Sequence, residues 1–203
     1  MRQRPLRNRV SPTGEILADP ARGTFMGNRG ILHNDKGEMG HVRWRHKAWI
    51  ICELRWKDWH REVMTPGAYT ELFFLDEAVA MAAGHRPCAL CRRGAFNAYR
   101  TAVGAKGPTR DLDDRLHTER AIPRKFLQRR HAANLADLPD GTMILWDGRP
   151  ALVRRDALLP FSMSGYEAPL RRPPSGPVTV LTPETSVQAM REGYVPRLHP
   201  TAL

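Results

Sequence analysis

The chain has 203 residues, enough for one domain or two small ones, and 41% of them are hydrophobic, which is too apolar for a wholly disordered protein. Thirty-two Lys and Arg against 21 Asp and Glu give a net charge of +11. A surplus of that size attracts polyanions, so we expect a nucleic acid as the partner. Two alternatives remain: a genome-wide arginine bias would give the same surplus without a polyanionic partner, and an anionic membrane surface would attract the same charge.

The sequence contains no apolar run near the roughly 18 residues that a bilayer crossing needs, so we expect no membrane partner. The charged residues at its start are not followed by the apolar stretch of a secretory signal. The sequence has three cysteines, Cys52, Cys88 and Cys91. A small and odd number of cysteines does not fit a disulfide framework. Together these features predict a cytoplasmic protein.

The first part of the chain, residues 1–30, is rich in Arg, Gly and Pro and predicts an arm or loop that is at best partly ordered. Within it, backbone amides around Asn28 and Arg29 could bind an anion, although a plain turn has the same pattern. The β-forming residues that follow predict strands at 48–56, 62–64 and 69–75.

A capped helix is predicted next. Asp76 stands at the N-cap position before the helix-forming run 77–83, and Gly84 stands where a left-handed C-terminal cap is usual. Further helices are predicted at 89–103, 111–120 and 123–133.

The C-terminal part changes character and reads as β-hairpins, with strands at 142–146, 151–154 and 157–163. The whole pattern predicts an α+β fold with a small mixed sheet and several short helices. We expect a core over 31–135 that carries basic helices, and a β-hairpin-rich part over 136–203 packed on it as one unit.

The pair Cys88-Ala89-Leu90-Cys91 has the two-residue spacing of half a zinc site, in which two thiolates converge on one ion. A redox pair uses the same spacing, and buried inert cysteines are a third interpretation.

The flanks of this pair extend the pattern. Phe73-Phe74-Leu75-Asp76-Glu77-Ala78, followed by Ala82-Ala83-Gly84-His85-Arg86-Pro87-Cys88-Ala89-Leu90-Cys91-Arg92-Arg93, resembles the second half of the metal-binding domain of Ada-type alkylation-repair proteins. The resemblance implies a strand–helix–CxxC unit, zinc ligation by Cys88 and Cys91, and DNA phosphates close to three arginines, Arg86, Arg92 and Arg93. The family's first cysteine pair has no counterpart here, so methyl transfer is not implied. The remaining ligands would come from Cys52 or from a histidine: His85, His117 or His131.

Positive charge is concentrated in residues 84–131, which hold twelve Lys and Arg against four acids. The densest basic run consists of Arg120, Arg124, Lys125, Arg129, Arg130 and His131. Such a concentration predicts a surface that contacts phosphates. The segments 44–49 and 56–61 also interleave tryptophan with cations, a pattern typical of base stacking or of tryptophans that belong to the core.

Candidate catalytic residues lie on the predicted helix 111–120. Asp113 and His117 are one turn apart, with Glu119 close by, and a carboxylate beside an imidazole is an arrangement that a general base uses. A solvated helix face would show the same residues. No Gly-x-Gly-x-x-Gly or Gly-Lys-Ser/Thr fingerprint occurs, so we expect no nucleotide cofactor.

Two functions follow. The first is a DNA-binding protein of DNA repair, a cofactor-free hydrolase that excises damaged or modified bases in the manner of a DNA glycosylase. The second is a non-catalytic, zinc-containing module or regulator that binds DNA or RNA.

Overall fold

Two large β-sheets and four helices make up the framework of the computed structural model, which describes residues 5–58 and 62–203. The fold is mixed α+β, as predicted. The helices are α1 (Glu77–Ala82), α2 (Arg93–Ala102), α3 (Thr109–Arg120) and α4 (Glu184–Arg191). None of the helices in the described ranges is long and apolar enough to cross a membrane.

The first sheet is built from the N-terminal half. Its six strands are β1 (Arg7–Val10), β2 (Ile16–Ala18), β3 (Phe25–Asn28), β4 (Ile50–Cys52), β5 (Leu72–Phe74) and β6 (Arg86–Pro87). Their spatial order is β2-β1-β5-β3-β4-β6. The β1–β5 and β4–β6 pairs are parallel and the others antiparallel, so the sheet is mixed.

A two-stranded hairpin and an antiparallel sheet follow. The hairpin consists of β7 (Ala121–Ile122) and β8 (Leu127–Gln128). The strands of the second sheet are β9 (His131–Asn134), β10 (Met143–Trp146), β11 (Arg149–Arg154), β12 (Ala157–Ser162), β13 (Gly165–Tyr166), β14 (Leu170–Arg171) and β15 (Pro177–Val180). Their order is β13-β12-β11-β10-β15-β9, with β14 also beside β12.

The helix α1 lies in the core, and all six of its residues are buried. The Asp76 side chain accepts a hydrogen bond from the Val79 N–H at 2.9 Å, which confirms the predicted N-cap. Gly84 has a φ of +88° and closes the helix as predicted, with its N–H on the Met81 carbonyl. One apolar cluster contains α1 together with residues of both sheets, so the two halves of the chain share a core.

Three expectations about local structure are wrong. Residues 5–30 form β1, β2 and β3 rather than an arm, because their apolar residues enter the core. The predicted strand at 62–64 is absent, since Met64 has a φ of +60° and donates its N–H to the Glu71 carboxylate. The predicted helix at 123–133 is the β7–β8 hairpin and β9 instead.

Tertiary hydrogen bonds explain the change from helix to hairpin. The Gln128 side-chain amide donates to the carbonyls of Ala82 and Leu181, at 2.6 and 2.8 Å, and the Arg129 N–H donates to the Arg120 carbonyl at 2.8 Å. These bonds span distant parts of the chain and override local helix propensity.

Asp76 should contribute strongly to the stability of the fold, because its carboxylate also accepts hydrogen bonds from the Tyr166 hydroxyl at 2.9 Å and the His199 N–H at 3.0 Å. Asp76→Ala removes the cap and leaves a buried hydroxyl unsatisfied, so we expect a loss of about 2–4 kcal/mol of unfolding free energy. Tyr166→Phe removes only one donor and should cost less, about 0.5–1.5 kcal/mol. Urea unfolding followed by circular dichroism measures both. A smaller loss for Asp76→Ala than for Tyr166→Phe would contradict this role.

Candidate functional site

The parallel pairing of β4 with β6 positions two groups of side chains. Ile50 lies opposite Arg86, the Arg86 N–H donates to the Trp49 carbonyl at 3.1 Å, and the Cys88 N–H donates to the Ile51 carbonyl at 2.9 Å. Because the strands run in the same direction, their C-terminal ends meet at one edge of the sheet and their N-terminal ends at the other.

The C-terminal ends bring three cysteines together. The Sγ atoms of Cys52, Cys88 and Cys91 all lie within 4.8 Å of one another, close enough to hold a metal ion. Cys52 thus joins the predicted pair, whereas none of the three candidate histidines does so in the described part of the chain.

The donors around the Cys88 Sγ suit a thiolate at that position. The Leu90 N–H donates to the Cys88 Sγ at 3.4 Å. Hydrogen bonds from the Cys52 and Cys91 thiols lower the pKa of Cys88 to about 2, helped by backbone N–H groups. The pKa of Cys52 is raised, because its thiol donates to the other two. Clustered sulfurs with backbone donors fit a thiophilic cation.

Ion pairs fix the loop that carries the cysteine pair. The Arg92 guanidinium binds both oxygens of Glu77 at 2.8 Å, and its Nε lies 3.2 Å from Glu53. Arg92 is only 8% exposed, so it ties the loop to α1 and does not face solvent.

Asp113 belongs to a second buried ion pair. Its two carboxylate oxygens accept from the Nε and Nη2 of Arg86, both at 2.8 Å, and both side chains are almost fully buried. This bidentate pair joins α3 to β6.

Glu119 and His117 make other contacts. The Glu119 carboxylate accepts from the N–H and hydroxyl of Thr185, at 2.8 and 2.6 Å, in the first turn of α4. The His117 ring packs edge-on against Trp44 and Trp49, and burial, with the charges of Arg120 and Lys47, lowers its pKa to about 4.

The structure therefore does not gather Asp113, His117 and Glu119 into one site. The physical reason is that each carboxylate satisfies a different requirement: a buried guanidinium beside Asp113, and the free N–H groups at the start of α4 beside Glu119.

The N-terminal ends of β4 and β6 meet a cleft of about 460 Å³, which we call the cationic cleft. Cations and aromatic rings dominate its lining, with Glu15 as the one carboxylate among the described residues. The cations are Arg7, Arg29, Arg43, Arg120, Arg124 and Lys125, and the rings are His41, Trp44, Trp49 and Phe126.

Two arginines at the bottom of the cleft stack on one indole. The guanidinium carbons of Arg29 and Arg120 lie 4.2 and 4.1 Å from the centre of the Trp49 ring. Arg29 is 2% exposed and Arg120 is 1% exposed. Within the described ranges, neither forms an ion pair with a carboxylate; they donate to carbonyls and, from Arg29, to the His85 ring.

Burial lowers the pKa of both guanidiniums to about 9. For Arg29 the charge of Arg120 adds to the effect, whereas the charge of Asp113 opposes it for Arg120. Both side chains remain cationic at neutral pH, so the cleft holds positive charge in a region of low dielectric.

Gly84 allows this arrangement. A Cβ atom there would lie 2.5 Å from Cδ of Arg120, and the φ of +88° is itself unfavourable for other residues. The glycine that ends α1 thus also lets Arg120 reach Trp49.

The predicted nucleic-acid-binding residues fall into four groups. Arg29, Arg120, Arg124 and Lys125 line the cationic cleft. Arg86 and Arg92 are buried in the ion pairs described above, and Asn28 is buried in β3. The rest are exposed outside the cleft: Arg93, Arg129 and Arg130.

Sequence reasoning missed Arg7, Arg43 and Phe126 as cleft residues. The signal that could have located the cleft was the segment 44–49, since Trp44 and Trp49 both line it. In the second segment of this kind, Trp59, His60 and Arg61 lie outside the described residues.

No family model, curated protein or solved structure matches the chain.

Loss of Asp113 from the buried ion pair with Arg86 should destabilise the protein. Asp113→Ala leaves a buried guanidinium without its partner, so we expect a loss of about 3–5 kcal/mol of unfolding free energy. The double variant Arg86→Met, Asp113→Leu removes both charges and should recover most of that loss. Chemical denaturation measures both, and a fully stable Asp113→Ala variant would show that the pair does not hold α3 to β6.

Proposed function

We propose that this is a zinc-containing protein that binds nucleic acid in the cationic cleft. The observation that carries the proposal is the pair of buried arginines, Arg29 and Arg120, which face the cleft without a carboxylate partner in the described chain. Buried charge is costly unless it is paired, so a site of this kind favours an anionic ligand.

The surroundings favour a nucleic acid over a small inorganic anion. Aromatic faces stack on bases of any sequence while cations hold phosphates, and the cleft offers both. Five of its lining residues come from the loop between β3 and β4, which spans about twenty residues, and ordered loops of that length in compact proteins are usually functional. DNA and RNA both present this chemistry.

The geometry does not support base excision by the predicted catalytic residues. A base-excising hydrolase needs a free carboxylate or base at the extruded nucleotide, whereas Asp113 and Glu119 are held in internal bonds. We therefore propose the non-catalytic function. DNA repair stays a proposal that the resemblance of residues 73–93 to Ada-type proteins supports.

The metal that we propose for the three cysteines is zinc. Thiolates are preferred zinc ligands, and three of the four that a structural zinc takes are already together. Zinc bound there would clamp β4 to β6. Thiols must be reduced to bind it, which supports a cytoplasmic location.

Binding of nucleic acid in the cationic cleft should weaken as the salt concentration rises. Each phosphate contact contributes about 0.9 to the slope of log affinity against log salt for duplex DNA and about 0.7 for a single strand. The triple variant Arg43→Gln, Arg124→Gln, Lys125→Gln should therefore reduce the slope by about 2–3, as measured by fluorescence anisotropy with labelled oligonucleotides.

The matched control removes three exposed cations outside the cleft, in the variant Lys106→Gln, Arg110→Gln, Arg171→Gln. It lowers net charge equally and should leave the slope near that of wild type. Equal slopes for both triple variants would show binding through general charge, and no binding of any oligonucleotide would reject the function.

The three cysteines should hold one zinc ion. Protein purified without chelator should contain about one zinc per chain, with Zn–S distances of about 2.3 Å by X-ray absorption. Cys91→Ser should lower zinc content strongly, whereas His131→Gln should retain it, because His131 lies outside the cysteine cluster. Zinc retained in Cys91→Ser but lost in His131→Gln would contradict this ligand set.

A further inference from the structure

The depth of the cationic cleft limits what can reach its bottom. Arg7, Arg124 and Lys125 are exposed at the rim, whereas Arg29 and Arg120 are almost fully buried. The phosphates of an intact duplex follow its outer surface, so they can contact the rim cations only. A group that enters the cleft is needed to use the two buried charges.

The two buried arginines have N–H donors that make no hydrogen bond within the described structure. A guanidinium has five N–H donors. In the described structure Arg29 uses three of them, on His85, Gly14 and Ala83, and Arg120 uses two, on carbonyls of Gly84 and Lys47. A phosphomonoester offers three acceptor oxygens and almost two negative charges, whereas a phosphodiester offers less of both.

Aromatic rings line the same cleft as these donors. Phe126 packs edge-on against Trp44, with ring centres 4.9 Å apart, and against His41 at 5.8 Å. Arg124 and Phe126 have φ values of +66° and +52°, which persist only where the surrounding structure enforces them. The tip of the β7–β8 hairpin is thus held in a strained shape that places one cation and one ring at the cleft.

The volume of the cationic cleft suits one small ligand. About 460 Å³ lies in the range of sites for small molecules and is too small for a base pair with both of its backbones. The ligand therefore combines one planar ring with one phosphate group.

We infer that the cationic cleft binds one nucleotide that carries a phosphomonoester, with the phosphate directed to Arg29 and Arg120 and the base against Trp44 and Phe126. The nucleotide is either free or the phosphorylated end of a strand. This inference deepens the proposed function and rests on it for the second source.

The test begins with calorimetric titration of the full chain. We expect deoxyadenosine 5′-monophosphate to bind at least about 10-fold more tightly than either deoxyadenosine or inorganic phosphate alone, because each lacks one of the two contacts. Trp44→Ala should weaken nucleotide binding by about 10-fold, the scale of one stacking contact. Trp56→Ala is the matched control, since Trp56 is a half-buried indole outside the cleft. If Trp44→Ala does not fold, Phe126→Ala at the hairpin tip replaces it.

The second arm distinguishes the two sources. Single-stranded oligodeoxyadenylate, which carries the same base as the mononucleotide, is titrated in three forms: with a 5′-phosphate, with a 3′-phosphate and with hydroxyl groups at both ends. Tighter binding of one phosphorylated strand than of the mononucleotide assigns the site to a strand end, and equal affinity assigns it to a free nucleotide.

Different results would reject the nucleotide pocket and the binding of nucleic acid. Oligonucleotide affinity that ignores the terminal phosphate, with no mononucleotide binding, overturns the inference and leaves nucleic-acid binding intact. Mononucleotide binding without any oligonucleotide binding retains the pocket and overturns the proposed function. Equal losses in Trp44→Ala and Trp56→Ala overturn the assignment of the base to Trp44.

Discussion

The parallel pairing of β4 with β6 is the constraint on which both sites depend. Two hydrogen bonds, from the N–H groups of Arg86 and Cys88 to carbonyls of β4 and of the residue before it, set the register. With a rise of about 3.3 Å per residue, strands this short separate their two ends by only about 10 Å. The cysteine cluster forms at one end and the floor of the cationic cleft at the other. A metal that ties Cys52 to Cys88 would thus also hold Trp49 beside the residues that precede β6.

The four arginines that are buried in the described part of the chain divide into two classes by their partners. Arg86 and Arg92 are buried with carboxylates in bidentate geometry, so their charge is balanced and they join separate elements of the fold. Arg29 and Arg120 are buried as deeply, but an indole and carbonyl groups surround them. An indole face and carbonyl oxygens attract a cation without neutralising it. The second class therefore supplies the field of the cleft, and the first supplies the rigidity that maintains it.

The sequence predicted the features that depend on local chemistry. The Asp76 cap, the Gly84 stop and the C-terminal hairpins follow from neighbouring residues, and the structure confirms them. Features set by distant contacts were missed: residues 5–30 became strands, and the predicted helix at 123–133 became a hairpin held by tertiary bonds. The same limit applies to the sites. Spacing indicated the cysteine pair but could not show that Cys52 would meet it, and one-turn spacing could not show that buried Arg86 would engage Asp113. The resemblance to Ada-type proteins stays a prediction.

If the proposed function is right, metal and nucleic acid act on the same pair of strands from opposite ends. Amide hydrogen exchange at Arg86 and Cys88 reports the two bonds that join β4 and β6, because exchange requires those bonds to open. Exchange is measured for protein with metal, after chelation, and with a bound oligonucleotide. Chelation should speed exchange at both amides, and the oligonucleotide should slow it in the metal-loaded protein. Rates at these amides that do not respond to either ligand, with protection by the oligonucleotide confined to the second sheet, would show that neither ligand acts on the β4–β6 pair.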